Sequence, residues 1–155
     1  MEEDRSGLAI RLLVIGYGNT LRSDDGAGPY VAEAVEALQL PGVQVLIAGL
    51  LTPELADPIC RAKTVVFVDA SVEAGNQFEL RRLEPAETSQ ILAHAADPRT
   101  LLALARDVFG HAPDGWWLTV PAQSLEIGEH LSAKTLRFAN EAIAELRKIA
   151  DDRTG

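Results

Sequence analysis

The apolar run Ile10-Arg11-Leu12-Leu13-Val14-Ile15 breaks into the string Gly16-Tyr17-Gly18-Asn19-Thr20-Leu21-Arg22-Ser23-Asp24-Asp25-Gly26-Ala27-Gly28-Pro29. Beyond it, Val31, Ala34, Val35 and Leu38 recur at helical spacing. The local order is therefore strand, glycine-rich turn, helix. A turn of this kind belongs to an open α/β sheet, where ligands sit at the carboxyl ends of the strands.

Two familiar uses of a glycine loop fail on this string. A dinucleotide fingerprint requires a third glycine where Leu21 stands, and no Gly-Lys-Ser or Gly-Lys-Thr follows to cradle a phosphate. Asp24 and Asp25 also lie at the helix start, where they would repel a phosphate. The loop suits a cation or a neutral backbone. On the aspartates alone, helix capping through the free N–H groups accounts for the pair equally well.

The rest of the chain repeats the alternation. Residues 8–15 read as a buried central strand and 29–38 as a helix stopped by Pro41-Gly42. Residues 43–48 read as a second strand, and Thr52-Pro53-Glu54 as an N-cap with a first-turn proline, opening a short helix that ends near Ala62. Residues 64–68 form a third apolar strand closed by Asp69-Ala70-Ser71, 78–83 a shorter edge strand, and 84–96 a segment open between loop and helix. Asp97-Pro98 starts a helix reaching Gly110, 115–120 form a further strand, 121–132 a loop, and 133–150 a long amphipathic helix. The expectation is one α/β domain over residues 8–150, with a twisted, largely parallel sheet of about five strands and helices on both faces. Residues 1–7 read as a disordered start and 151–155 as a frayed tail.

The formal net charge of −9 argues against nucleic acid or an anionic membrane as partner and is compatible with a cation or a basic peptide. Cys60 is the only cysteine, so no internal disulfide and no cysteine-rich metal site can form within one chain. The acidic start Met1-Glu2-Glu3-Asp4-Arg5 is unlike a secretory signal, and a reducing cytoplasm is the expected home. No Gly-x-Ser-x-Gly elbow and no His-Glu-x-x-His motif occurs, and Cys60 falls within a short helix as a small apolar residue.

Asp69 ends an apolar strand, so its carboxylate emerges at the same edge as the Gly16 loop and Asp25. Its ordinary alternative is to bond turn amides before Ser71. Of the three histidines, His94, His111 and His130, the first precedes a helix whose preceding loop lies at that edge. His111 follows the same helix and belongs at the opposite edge; it is the runner-up. Each histidine taken singly is an ordinary surface residue.

The pattern Gly-x-Gly-Asn-x-Leu-x-x-Asp-Asp-Gly-x-Gly over residues 16–28 closely resembles the opening motif of the hydrogenase maturation proteases. These endopeptidases trim the C-terminal tail from the precursor of the nickel-containing hydrogenase large subunit. Val120-Pro121-Ala122-Gln123-Ser124-Leu125-Glu126 resembles the segment before the family's last helix. The resemblance implies that Asp25, Asp69 and His94 contact the metal, with Asp25 and Asp69 catalytic, and that Gly18, Asn19, Asp24 and Gly49 line the substrate site. Nickel then arrives with the substrate, no organic cofactor is needed, and the partner of a monomeric enzyme is the large-subunit precursor. Many relatives carry Asp-Gly-Gly after the second strand, where this chain has Ala48-Gly49-Leu50.

Two carboxylates and an imidazole suit nickel, zinc or iron and leave coordination positions open. Three ligands from separated loops hold a free ion only modestly, which fits an enzyme reading nickel already bound by its substrate's cysteines. The carboxylates could polarise a water for attack on the peptide carbonyl. Two other readings use the same chain differently: a non-catalytic nickel-binding insertion factor, and a flavodoxin-like nucleotide or flavin module.

Overall fold

The computed structural model describes residues 10–87 and 97–154. Five strands form one sheet in the order β2-β1-β3-β5-β4. They are β1 (Ile10–Tyr17), β2 (Val43–Ala48), β3 (Ala62–Ser71), β4 (Glu79–Leu83) and β5 (Asp114–Pro121). All pairings are parallel except β4 with β5. The helices are α1 (Ala27–Ala37), α2 (Ala56–Cys60), α3 (Pro98–Phe109) and α4 (Ala133–Thr154). The chain is therefore a single α/β domain with a five-stranded, largely parallel sheet.

Strand alternation divides the apolar residues between two cores. Leu12, Val14, Val66, Val68, Leu118 and Val120 face one side, where Val31 and Val35 of α1 and Ala139, Ala142 and Leu146 of α4 cover them. Leu13, Ile15, Val65 and Phe67 face the other, against Ile59 of α2 and Leu101, Leu102 and Ala105 of α3. Because β1 and β3 are covered on both faces, their interiors read as unbroken apolar runs rather than alternating ones.

Two glycines set how closely α1 rides on the sheet. A Cβ on Gly28 would lie 2.4 Å from Val68 O and 2.5 Å from Tyr17 O, and one on Gly16 would lie 2.2 Å from Gly28 O. The glycine string is thus a packing device before it is anything chemical: it lets a helix backbone touch the carboxyl ends of β1 and β3.

The outer strands differ. On β4, Arg81 stacks over the Trp117 ring at 5.4 Å and Arg82 over Trp116 at 5.6 Å, so neighbouring residues pin the strand to β5 from both faces of the sheet. Arg82 also pairs with Asp114 at 3.1 Å. Such charges discourage further strand pairing at that edge.

Several local boundaries differ from the sequence reading. A 3-10 turn, Ser23–Gly26, precedes α1, which begins at Ala27 rather than Pro29. Proline is tolerated there because first-turn N–H groups have no helical partner anyway. Neither the turn nor α1 has a side-chain cap, so the aspartates are occupied elsewhere. Thr52 likewise makes no cap bond, and α2 ends at Cys60. Asp97 does cap α3, accepting from Arg99 N at 2.7 Å, and Gly110 closes that helix at φ 90°. Helix α4 continues to Thr154 through the segment read as a tail, since no glycine or proline interrupts it before Gly155. Residues 1–7 lie outside the described residues. Among those described, no helix is long and apolar enough to cross a membrane.

Gly28→Ala should cost about 3 kcal/mol or more, because the obstructing atoms are backbone oxygens that cannot swing aside. Gly75→Ala, whose Cβ would meet nothing within 4 Å, should be near neutral. Denaturant unfolding of the two variants checks this; equal stabilities would refute the close-approach account.

Candidate active site

The parallel register brings the ends of four strands to one edge. Tyr17 pairs with Ala48, Gly16 with Val68, and Ser71 with Pro121. Gly18 N–H donates to Ala48 O at 3.1 Å and Ala122 N–H to Ser71 O at 2.9 Å, stitching adjacent loops together just beyond the sheet.

Asp24 is fully buried, with 0% exposure. Its Oδ2 accepts from Gln123 N at 2.7 Å, Ser124 N at 3.1 Å and Ser132 Oγ at 2.9 Å, while Oδ1 accepts from Ser132 N at 2.7 Å. Burial opposes the charge, but the bonds from Ser132, Gln123 and Ser124 outweigh it and hold the carboxyl below its ordinary range. Around this ion the first loop and the segment after β5 exchange backbone bonds: Ser23 N to Gly128 O at 2.7 Å, Asp24 N to Ser124 O at 3.0 Å, and Gly128 N to Leu21 O at 2.9 Å. The resemblance places Asp24 among substrate-binding residues; its oxygens instead face inward, and its part in the site is to hold two loops at fixed separation.

Asp25, the next residue, turns the other way and is half-buried. Its Oδ2 accepts from Asn19 N at 2.7 Å, and Asn19 Oδ1 in turn accepts from Leu21 N at 2.9 Å. Gly18 makes room: its φ is 146°, and a Cβ there would lie 2.1 Å from Asp25 O. Gly49 stands at the same edge after β2, but a Cβ on it would meet open space, so no close approach within the chain requires glycine there.

Asp69 lies near the end of β3 on the face shared with Tyr17 and Trp117. Burial raises its pKa to about 6 and the charge of Asp25 adds to the rise, while the Tyr17 hydroxyl and Ala70 N–H, which donate to it, oppose the shift. The Ala70 bond is 2.8 Å long. Burial, with the Asp69 charge beside it, pushes the Tyr17 phenol far above its ordinary range; the charge of Asp97 at the start of α3 adds to this. The Trp117 indole N–H faces the same hydroxyl without a hydrogen bond of ordinary geometry. A cleft of about 340 Å³ opens beside Asp69, between Ser71, Glu73, Glu79, Arg81, Trp117 and Thr119.

The structure thus brings Asp25 within electrostatic reach of Asp69, and Asp97 at the start of α3 within electrostatic reach of Tyr17. His94 lies outside the described residues. The His111 Nε2–H donates to Ala62 O, 3.1 Å away, which places it at the start of β3 and at the opposite edge, as the sequence reading holds. His130 is exposed on the segment between β5 and α4. Among the described residues no group of three potential ligands could hold a metal ion. Tyr17 was not singled out by sequence, although the alternation of β1 puts it on the Asp69 face. Ser132, a hundred residues from Asp24, left no local signal.

Two outcomes follow for stability. Asp24→Asn points an amide N–H₂ at groups that themselves donate, and should cost on the order of 3 kcal/mol. Asp69 has the opposite sign. A carboxyl whose folded pKa is raised from 3.8 to about 6 leaves the native state less stable once the pH exceeds the folded value, and the deficit vanishes below the unfolded one. Asp69→Asn should therefore be more stable than the natural chain at pH about 8, by on the order of 2–3 kcal/mol, with the gap closing below pH about 4. Denaturant melts at both pH values check the pair; a gap independent of pH would refute the buried-charge account.

No protein-family model and no curated protein matches the chain. Solved structures do. The hydrogenase maturating endopeptidase HybD from E. coli superposes with a TM-score of 0.71 at 21% identity, over 92% of this chain and 93% of its own. The NiFe hydrogenase maturation protease HycI from Thermococcus kodakarensis KOD1 gives 0.70 at 23% identity, over 91% and 92%. The hydrogenase 2 maturation peptidase from Thaumarchaeota archaeon SCGC_AB-539-E09 gives 0.67 at 22% identity, over 90% and 97%. Across nearly the whole of each chain, this α/β domain with its five-stranded, mostly parallel sheet has the fold of the solved hydrogenase maturation endopeptidases.

Proposed function

We propose that the chain is an endopeptidase that removes the C-terminal extension of a nickel-containing hydrogenase large-subunit precursor, and does so after nickel insertion by recognising the bound metal. The observation that carries this reading is the pair Asp25 and Asp69. They come from different loops, share one edge of the sheet, and the charge of Asp25 reaches Asp69. The motif over residues 16–28 and the likeness to solved maturation endopeptidases support it.

A largely buried carboxylate that also feels a second carboxylate's charge is an unfavourable arrangement that an arriving dication relieves. A substrate carrying nickel beside its scissile bond supplies that dication, whereas an empty precursor does not, so binding energy is released only for the loaded form. Asp25, Asp69 and, by the resemblance, His94 complete the coordination of the substrate's metal. One of these two carboxylates serves as general base. It takes a proton from the attacking water, the hydroxyl adds to the peptide carbonyl, and the proton passes to the leaving amine as the C–N bond breaks. Asp24 contacts no reacting atom and holds the Asp25 turn in place.

Gel-shift assays of nickel-loaded and nickel-free precursor test the reading. Asp25→Asn and Asp69→Asn preserve side-chain size but remove the charge, and each should lower the cleavage rate of the loaded precursor by about a hundredfold or more while the protein stays folded. Equal cleavage of both precursors would refute metal recognition. Full activity in both variants would remove the carboxylates from the mechanism. Stoichiometric nickel binding by the isolated protein without any proteolysis would favour an insertion factor instead.

A further inference from the structure

Four aliphatic side chains stand out into solvent at the carboxyl edge that carries Asp25 and Asp69, one from each of its four loops. Leu21 follows β1 and is 58% exposed; Leu50 follows β2 at 75%; Val72 follows β3 at 60%; and Ile127 follows β5 at 94%. The strand registers that align Tyr17 with Ala48 and Ser71 with Pro121 put these loops side by side. Among the described residues the only other large aliphatic as open as these is Val108, 65% exposed near the end of α3 at the opposite edge. Single exposed aliphatics are ordinary on a protein surface; one from each of four loops along one edge of the sheet is the pattern of an interface.

Two of the four are held rigidly. The Leu21 and Ile127 loops are joined by the Gly128 N to Leu21 O bond at 2.9 Å, by Arg22 Nε to Leu125 O at 3.0 Å, and by Ser23 Oγ to Glu126 O at 2.7 Å. A buried carboxylate with four bonds lies directly beneath. Loops fixed in this way lose little backbone freedom when a partner covers them.

We propose that Leu21, Leu50, Val72 and Ile127 form a docking ring for the folded body of the large-subunit precursor, seating it so that its metal-bearing C-terminal segment falls on Asp25 and Asp69. The inference rests on the peptidase reading for the identity of the partner. Charge selects among occupants. A second copy seated on the ring would bring two Asp25–Asp69 pairs together in a chain of net charge −9, and would be repelled. A partner that brings a dication to this edge neutralises the same carboxylates. Apolar contacts along the edge and metal contacts at the carboxylates then act together, which a short peptide cannot reproduce.

The test uses the triple variant Leu21→Ser, Leu50→Ser, Ile127→Ser, with Val108→Ser as an equally exposed control. Titration calorimetry against purified nickel-loaded precursor gives Kd, and gel-shift cleavage gives KM and kcat. The triple variant should show Kd and KM raised roughly tenfold to a hundredfold, with kcat within about twofold and the control unchanged. If the triple variant melts abnormally, Leu50→Ser and Ile127→Ser singly should each raise Kd a fewfold. Unchanged Kd in these variants would overturn the docking ring, as would a fall in kcat alone. Wild-type dimers in sedimentation that disperse in the triple variant, with Kd for the precursor unchanged, would assign the ring to a second copy and overturn it too. Binding weakened by the substitutions but without cleavage by any form would uphold the ring and refute the peptidase reading. Absence of binding by the wild-type chain would refute both.

Discussion

The buried carboxylate of Asp24 is the interaction on which the working edge of this molecule depends. An ionised group with no exposure is costly unless its lone pairs are matched, and here four donors from Gln123, Ser124 and Ser132 match them. Those donors come from a segment a hundred residues away, so the bond set fixes tertiary geometry rather than a local turn. Remove it, and the loop after β1 and the loop after β5 are left to keep their spacing through backbone bonds and the two side-chain bonds of Arg22 and Ser23 to Leu125 O and Glu126 O. Asp25 is the next residue in the chain, and its direction is inherited from this anchor.

The neighbouring carboxylate shows the opposite economy. Asp69 is placed where solvent is scarce and where Asp25 adds like charge, with only the Tyr17 hydroxyl and one amide in compensation. The two aspartates of the first loop and the one ending β3 therefore occupy contrasting environments. One is satisfied and silent, whereas Asp69, with Asp25 facing it, is left short of positive charge. Groups whose surroundings push their proton affinities apart are a mark of chemical sites, and at this edge they are Asp24, held down by its donors, and Asp69, held up by burial.

The sheet was legible because its cause is local. Runs such as Val65-Val66-Phe67-Val68, bounded by turn residues and separated by helical periodicity, leave little choice but parallel crossovers, and Asp69 at the end of a run can be placed at an edge with no further information. The cap at Asp97 was legible for the same reason, since its partner is Arg99 N, two residues away. The respective roles of Asp24 and Asp25 were not. Both are carboxylates in one turn, and what separates them is Ser132, whose position depends on β5 and α4 being packed first. Helix starts at Ala27 and Ala56 were misplaced by a few residues because 3-10 turns precede both helices and carry no capping side chain. Tyr17 lay inside the most conspicuous string in the chain, yet a residue between two glycines shows its role only once a second strand supplies Asp69.

The stacking at the β4 edge has a spectroscopic consequence. The chain has two tryptophans, adjacent on β5 and facing opposite cores. Trp116 lies under the Arg82 guanidinium; Trp117 lies under Arg81 and beside the phenol that bonds Asp69. Intrinsic fluorescence is thus a report from one corner of the molecule, where the antiparallel strand meets the parallel ones. Peeling of β4 strips a cation from both rings at once and alters the emission, whereas rearrangement of the β2 side passes unseen.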